Sequence, residues 1–239
     1  EGADGGLYGL MFRGAGQGVR ALIAESLAGG IARAVAVNGP EIVLAELGVE
    51  LARTEPDPEI QDLMRASGGL NVALDYLPGS LAFDPLTMPV DAGLASAIVW
   101  FDALVGNVDR SPRNTNLLVW HGHPWLIDHG ATLPFHHGWQ APVAAAVKPF
   151  AAIADHVLLP AASALAQVDA ELAARLTPSV LQGVVDQVPE SFLARSAQDQ
   201  PPGSALATAA AQRQAYLDYF AARVADRARW LEGAERARA

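Results

Sequence analysis

Apolar and polar positions follow two rhythms along this chain. Residues 7–12 form a short β-prone run, closed by Gly14, Gly16 and Gly18. Over 19–37 the apolar residues recur at Leu22, Ile23, Leu27, Ile31 and Val35, a period near 3.6 that predicts a buried helix with Glu25 embedded in it. Asn38-Gly39-Pro40 ends that helix. Residues 41–47 predict a strand, and Asp57-Pro58 reads as an N-cap and first helical residue for a short helix near 58–66. A further strand over 70–77 stops at Pro78-Gly79.

The second half is mostly helical. Leu94, Ile98, Phe101 and Val105 predict a core helix over 91–105. Two β-prone runs, 116–120 and 124–127, flank His121-Gly122-His123 and predict a hairpin symmetric about Gly122, with Leu117 opposite Ile127 and Asn116 opposite Asp128. From about 141 onward the chain is Ala-rich and helical, broken by Pro149, Pro160, Pro178 and a loop over 196–203. No repeat is visible. The pattern is α+β, strand-rich to about Gly79 and helical thereafter.

Composition narrows the function. The 239 residues are 51% hydrophobic with no apolar run near the ~20 residues of a membrane span, which predicts a soluble protein without one. The absence of cysteine excludes disulfides, thiolate metal sites and a cysteine nucleophile; with nothing at the start that reads as a signal peptide, the expected setting is the cytoplasm. A net charge of −10 argues against a nucleic-acid partner, because phosphate-tracking surfaces draw on Lys and Arg. Of the sixteen basic residues only Lys148 is a lysine.

The densest polar cluster is Gly106-Asn107-Val108-Asp109-Arg110-Ser111-Pro112-Arg113-Asn114-Thr115-Asn116, followed by Leu126-Ile127-Asp128-His129-Gly130. The hairpin brings Asn114 and Asp128 to its open end on adjacent strands, ~5 Å apart. An amide oxygen and a carboxylate converging on one point suit Mg²⁺, a hard cation that keeps waters for substrate phosphates. Asp109, on the loop leaving a buried helix, then stands beside the metal, where a base accepting a hydroxyl proton belongs in phosphoryl transfer. Asn116 is expected to brace that loop. Five histidines (His121, His123, His129, His136 and His137) lie close to Asp128 in sequence and raise a zinc or iron hydrolase as a rival. The hairpin sets His121 and His123 ~13 Å from Asp128, which argues against a shared site.

Asp109-x-x-x-x-Asn114, a hairpin, and Asp128-His129-Gly130 together form the kinase order of catalytic Asp, metal-binding Asn and D-x-G metal-binding Asp. With Asn107-Val108-Asp109-Arg110 and Leu126-Ile127-Asp128-His129-Gly130-Ala131, the sequence resembles the HipA-like kinases in their compact actinobacterial form, and more distantly the phosphatidylinositol kinases. The likeness covers roughly residues 5–160. It implies a two-lobed protein-kinase-like fold, α+β, with a reduced small lobe over 1–79 and a helical large lobe over 80–239. It also implies ATP and Mg²⁺ as cofactors and transfer of the γ-phosphoryl to a hydroxyl acceptor, a protein Ser/Thr or a small molecule. Asp109 is then the base, Asn114 and Asp128 hold Mg²⁺, Asp75, Tyr76 and Leu77 form the hinge that meets the adenine, and Glu25 orients the phosphate-binding Lys of the small-lobe strand.

That Lys is absent. Met11 occupies its position, and Arg13, expected two residues along the same strand face, is the nearby cation on the cofactor side. Only about six residues precede the first strand, too few for a preceding strand pair with a Gly-rich phosphate loop, so either the chain is trimmed or the phosphates are held differently. The alternative reading is a pseudokinase, a nucleotide-binding or scaffolding module that does no transfer.

Overall fold

The computed structural model describes residues 2–16, 18–137 and 142–239. Strand β1 (Tyr8–Met11) is followed by helix α1 (Val19–Ala34), β2 (Ile42–Leu47), a 3₁₀ turn (Val49–Thr54), α2 (Pro58–Ala66) and β3 (Gly69–Asp75). Asp57 caps α2 through its carboxylate, which accepts from the N–H groups of Glu59 and Ile60, and Pro58 fills the first helical position. The three strands pair antiparallel in the order β1-β3-β2, with Met11 opposite Val72 and Tyr8 opposite Asp75. Strand β1 ends at Met11, so Arg13 is not on its face as the alternation predicts. It lies in the turn beyond, where Asn71 Oδ1 accepts from its backbone N–H at 2.9 Å and its guanidinium donates to the Gly68 carbonyl.

A second antiparallel sheet, in the order β4-β5-β6, combines β4 (Leu81–Ala82) with the hairpin β5 (Leu117–Trp120) and β6 (His123–Leu126). The hairpin register differs from the symmetric expectation. Leu117 faces Leu126 and Trp120 faces His123, so the turn is His121-Gly122 alone, both at positive φ (50° and 80°). Such a two-residue turn follows the natural twist of the strands, which a three-residue turn centred on Gly122 does not. The slip of one residue puts Asn116 opposite Ile127, with the Ile127 N–H donating to the Asn116 carbonyl at 3.1 Å, and leaves Asp128 beyond the paired strands.

Between β4 and β5 in sequence runs α3 (Ala92–Val105), capped by the Asp91 carboxylate and ended by Gly106 in the left-handed region. Gly is required there. A Cβ at Gly106 would stand 2.8 Å from Pro134 Cδ, on a backbone with φ of 69°. Helices α4 (Pro142–Ala146), α5 (Leu165–Arg175), α6 (Pro178–Asp186), α7 (Glu190–Gln198), α8 (Ala209–Ala225) and α9 (Arg227–Arg238) complete the chain. The buried Arg223 of α8 donates to the carbonyls of Ala103, Leu104, Ala146 and Lys148, which clamps the end of α3 where the polar cluster begins.

The fold is α+β, two small antiparallel sheets and many helices, in keeping with a two-lobed kinase-like architecture. One apolar cluster runs from Val19, Leu22 and Ile23 of α1 through Trp100 and Phe101 of α3 to Trp230 of α9. Helix α1 packs on β3 and also on α6 and α7, so it belongs to the strand-rich part by sequence and to the helical part by burial. This explains why its residues are buried almost all round and why its period marks no sharp apolar stripe. Among the described residues, no helix is long and apolar enough to cross a membrane.

Candidate active site

A cleft of about 310 Å³ opens between the two sheets. Gly9, Leu10 and Met11 of β1 wall one side, Asp75, Tyr76 and Leu77 the end where β3 stops, and Leu118, Ile127 and Asp128 of the hairpin the other. Trp120 Nε1 donates to the Pro78 carbonyl at 3.0 Å, tying the hairpin to the segment just after Leu77. No basic side chain is among the described residues lining this cleft. Arg13 is outside it, beside Gly14, Gly18 and Arg195 at a separate cavity, and Lys148 is an exposed residue just past α4.

Asp109, Asn114 and Asn116 come together as one unit. Ser111 and Asn114 exchange backbone hydrogen bonds across a tight turn, which folds Asn114 back so that its Nδ2 donates to Asp109 Oδ2 at 3.0 Å. Asn116 Nδ2 donates to the Asp109 carbonyl at 2.7 Å and to its Oδ2 at 3.2 Å, so Asn116 braces the loop, as its place at the strand start predicts. Asn114 spends its amide N–H on Asp109, which leaves its oxygen, the atom a hard cation would take.

Asp128 is at φ 54°, a left-handed backbone that costs a non-glycine residue about 1–3 kcal/mol unless its surroundings hold it. Its carboxyl opens onto the cleft but is partly desolvated on its inner side. That desolvation, then the negative charge of Glu25 and, more weakly, of Asp109, raise its pKa above the ordinary value, against the Gly130 N–H, which donates to it. Of these three carboxylates only Asp128 lines the cleft; Glu25 and Asp109 act on it by their charge, and the oxygens of Asp128 and Asn114 are the donor type Mg²⁺ prefers.

Glu25 is 1% exposed on α1. Its Oε2 accepts from the His129 backbone N–H at 2.5 Å, and its Oε1 pairs with His129 Nδ1 at 2.9 Å. The Met11 methyl carbon is 3.8 Å from where a Cβ on Gly130 would stand, so Met11 abuts the same turn. The histidines do not pool. His121 lies tilted against Trp120, His129 faces Glu25 and His136 bonds to Tyr216 Oη at 2.8 Å; the His137 side chain lies outside the described residues.

Sequence patterning misses what lies beneath this loop. Asp102, on the buried face of α3, is 0% exposed and accepts from Arg110 Nε at 2.5 Å, Asn107 Nδ2 at 2.9 Å and His156 Nε2 at 2.8 Å. The Leu158 N–H donates to His156 Nδ1, which leaves Nε2 as the ring donor towards Asp102. Arg110 in turn donates to the Asn116 carbonyl, and Asn107 Oδ1 accepts from the Asp109 N–H at 3.0 Å. Burial alone would raise the Asp102 pKa. The Arg110 charge and the His156 hydrogen bond overcome it and hold the carboxyl well below the usual carboxylate range. The available signal was a lone carboxylate in an otherwise apolar helix.

A strand-walled cleft, a loop carrying paired Asp and Asn, and a strained Asp-x-Gly turn at the cleft edge define a kinase-like protein. The family model of the HipA-like kinases matches residues 1–216, and the chain belongs to that family. No curated protein and no solved structure matches it.

Proposed function

We propose that this chain binds ATP in the cleft between its sheets and transfers the γ-phosphoryl group to a hydroxyl acceptor, a protein Ser/Thr or a small molecule. We divide it into a small lobe over 1–79 and a large lobe over 80–239. The observation that carries the reading is the Asp109–Asn114–Asn116 unit, close enough to the cleft-lining Asp128 for the Asp109 charge to act on it. The backbone of Asp75 to Leu77 receives the adenine. Asp109, oriented by two amide donors, takes the acceptor's hydroxyl proton, and the acceptor oxygen then attacks the γ-phosphorus as the bridging bond to ADP breaks. Asn114 and Asp128 would hold Mg²⁺, which would supply charge neutralisation for the phosphate oxygens. Glu25 acts through the turn that carries Asp128.

Asp128→Asn is expected to weaken Mg²⁺-dependent nucleotide binding about tenfold or more, because it removes a charge from the cation's ligands. The check is titration with a non-hydrolysable ATP analogue with and without Mg²⁺. Equal affinity of the parent protein under both conditions would remove the metal pair from the site.

One observation favours the pseudokinase reading: among the described residues the cleft walls carry no basic side chain, and Met11 stands where a phosphate-binding Lys is expected. Met11→Lys separates the two. Lys can lay its stem along the apolar path of Met11 and present its ammonium near Asp128 and Glu25. Phosphoryl transfer should rise at least about tenfold, with little change in stability. An enzyme limited by that missing cation responds so; a chain that only scaffolds gains binding without turnover.

A further inference from the structure

Position 11 offers no donor to Glu25, yet both oxygens of this buried carboxylate are bonded. Both partners belong to residue 129. The backbone N–H that Glu25 Oε2 accepts is part of the peptide joining Asp128 to His129, so the bond acts on the plane that sets the Asp128 backbone. His129 is itself 3% exposed, its ring edge-on to Phe101 at 5.6 Å, and its carbonyl accepts from the Thr132 N–H at 3.0 Å. Pairing with a carboxylate oxygen assigns a proton to Nδ1, which makes the imidazole the donor that holds Glu25 in place.

We infer that His129 is a positioning residue: its imidazole fixes Glu25 of α1, Glu25 fixes the Asp128–His129 peptide, and together they hold Asp128 in its strained left-handed conformation, facing the cleft. The link from α1 to the cleft edge thus runs through the Asp-x-Gly turn itself and does not need a cation on β1. This inference rests on the reading of Asp128 as a Mg²⁺ and nucleotide ligand. An Asp free to leave the left-handed region would offer its carboxylate only part of the time, and apparent affinity falls with the fraction in the competent state.

The test compares His129→Leu and His129→Asn by the Mg²⁺ concentration needed for half-maximal binding of a non-hydrolysable ATP analogue. Leu fills the ring's place without a donor, and that concentration should rise about tenfold, while affinity without Mg²⁺ stays within about twofold. Asn carries an amide N–H near the place of Nδ1 and should stay within about threefold of the parent. Glu25→Gln should give a shift like that of His129→Leu when made alone, and little more on top of it, because the pair acts as a unit. Should His129→Leu fail to fold, Glu25→Gln and His129→Asn still carry the comparison, with a shift expected in the first and not in the second. An unchanged Mg²⁺ requirement in His129→Leu, or in Glu25→Gln should that variant fail to fold, would reduce His129 to packing and overturn the inference. So would shifts that simply add in the double variant. A parent protein that binds nucleotide without any Mg²⁺ dependence would fail one step earlier, at the assignment of Asp128.

Discussion

Asp109→Asn should lower phosphoryl transfer by about 10³-fold while leaving affinity for an ATP analogue within about threefold. The expected size follows from losing a positioned base, typically 10²–10⁴-fold. The substitution is chosen because it keeps an oxygen that can accept from Asn114 Nδ2 and Asn116 Nδ2, so the loop retains both braces and only the capacity to take a proton goes. Asp109 is not among the residues lining the cleft, which is why nucleotide affinity should hardly move. The assay is ATP consumption and analogue binding, run on whichever of the parent and Met11→Lys turns over faster. Undiminished turnover in Asp109→Asn would mean that another group accepts the proton. A parallel loss of nucleotide affinity would mean that Asp109 works on the cleft and not on the acceptor.

Asp102→Asn is expected to cost about 3–5 kcal/mol of stability, the usual consequence of breaking a buried ion pair by removing one member. Arg110 and Asp102 are both 0% exposed in their side chains, so neither water nor another carboxylate takes over when the charge goes. For a chain of this length that is a fall in Tm of roughly 10 °C. Activity should fall further than stability explains, since Arg110 also holds the Asn116 carbonyl and Asn116 holds Asp109. The sign with pH follows from the lowered pKa. Asp102 stabilises the fold above the ordinary carboxylate value of 3.8, where the unfolded chain also carries the charge, and that contribution drains away as pH drops below it. The parent should therefore lose stability more steeply than Asp102→Asn below about pH 4. Denaturant unfolding of both proteins across pH 3–7 checks this; parallel acid limbs would show that the Asp102 charge does not matter to the fold.

Element positions were legible because local patterns dictate them. The period of α1, the Asp57-Pro58 start of α2 and the Asp91 start of α3 all depend on residues a few positions apart. The hairpin register was harder. Its two ends were plain, but choosing between a two- and a three-residue turn depends on backbone twist, which letter patterns around His121-Gly122-His123 do not carry. Strand alternation likewise carries β1 as far as Arg13, because it has no way to show that Asn71 and Gly68 capture that residue.

By itself the sequence determined the α+β class, the order of the main elements and the meeting of Asp109 with Asn114, since a tight turn brings residues five apart together at little entropic cost. Tertiary structure alone decided what those residues answer to. Asp102 and His156 are 54 positions apart, and Glu25 and His129 are 104 apart, and no local rule links either pair. They meet because α1 and α3 are buried in one apolar cluster, and a carboxylate carried into such a core must find donors there or lose its charge. That demand is met by whichever donors the packing brings near: Arg110 and His156 for Asp102, and the His129 imidazole and backbone for Glu25 in place of a lysine on β1.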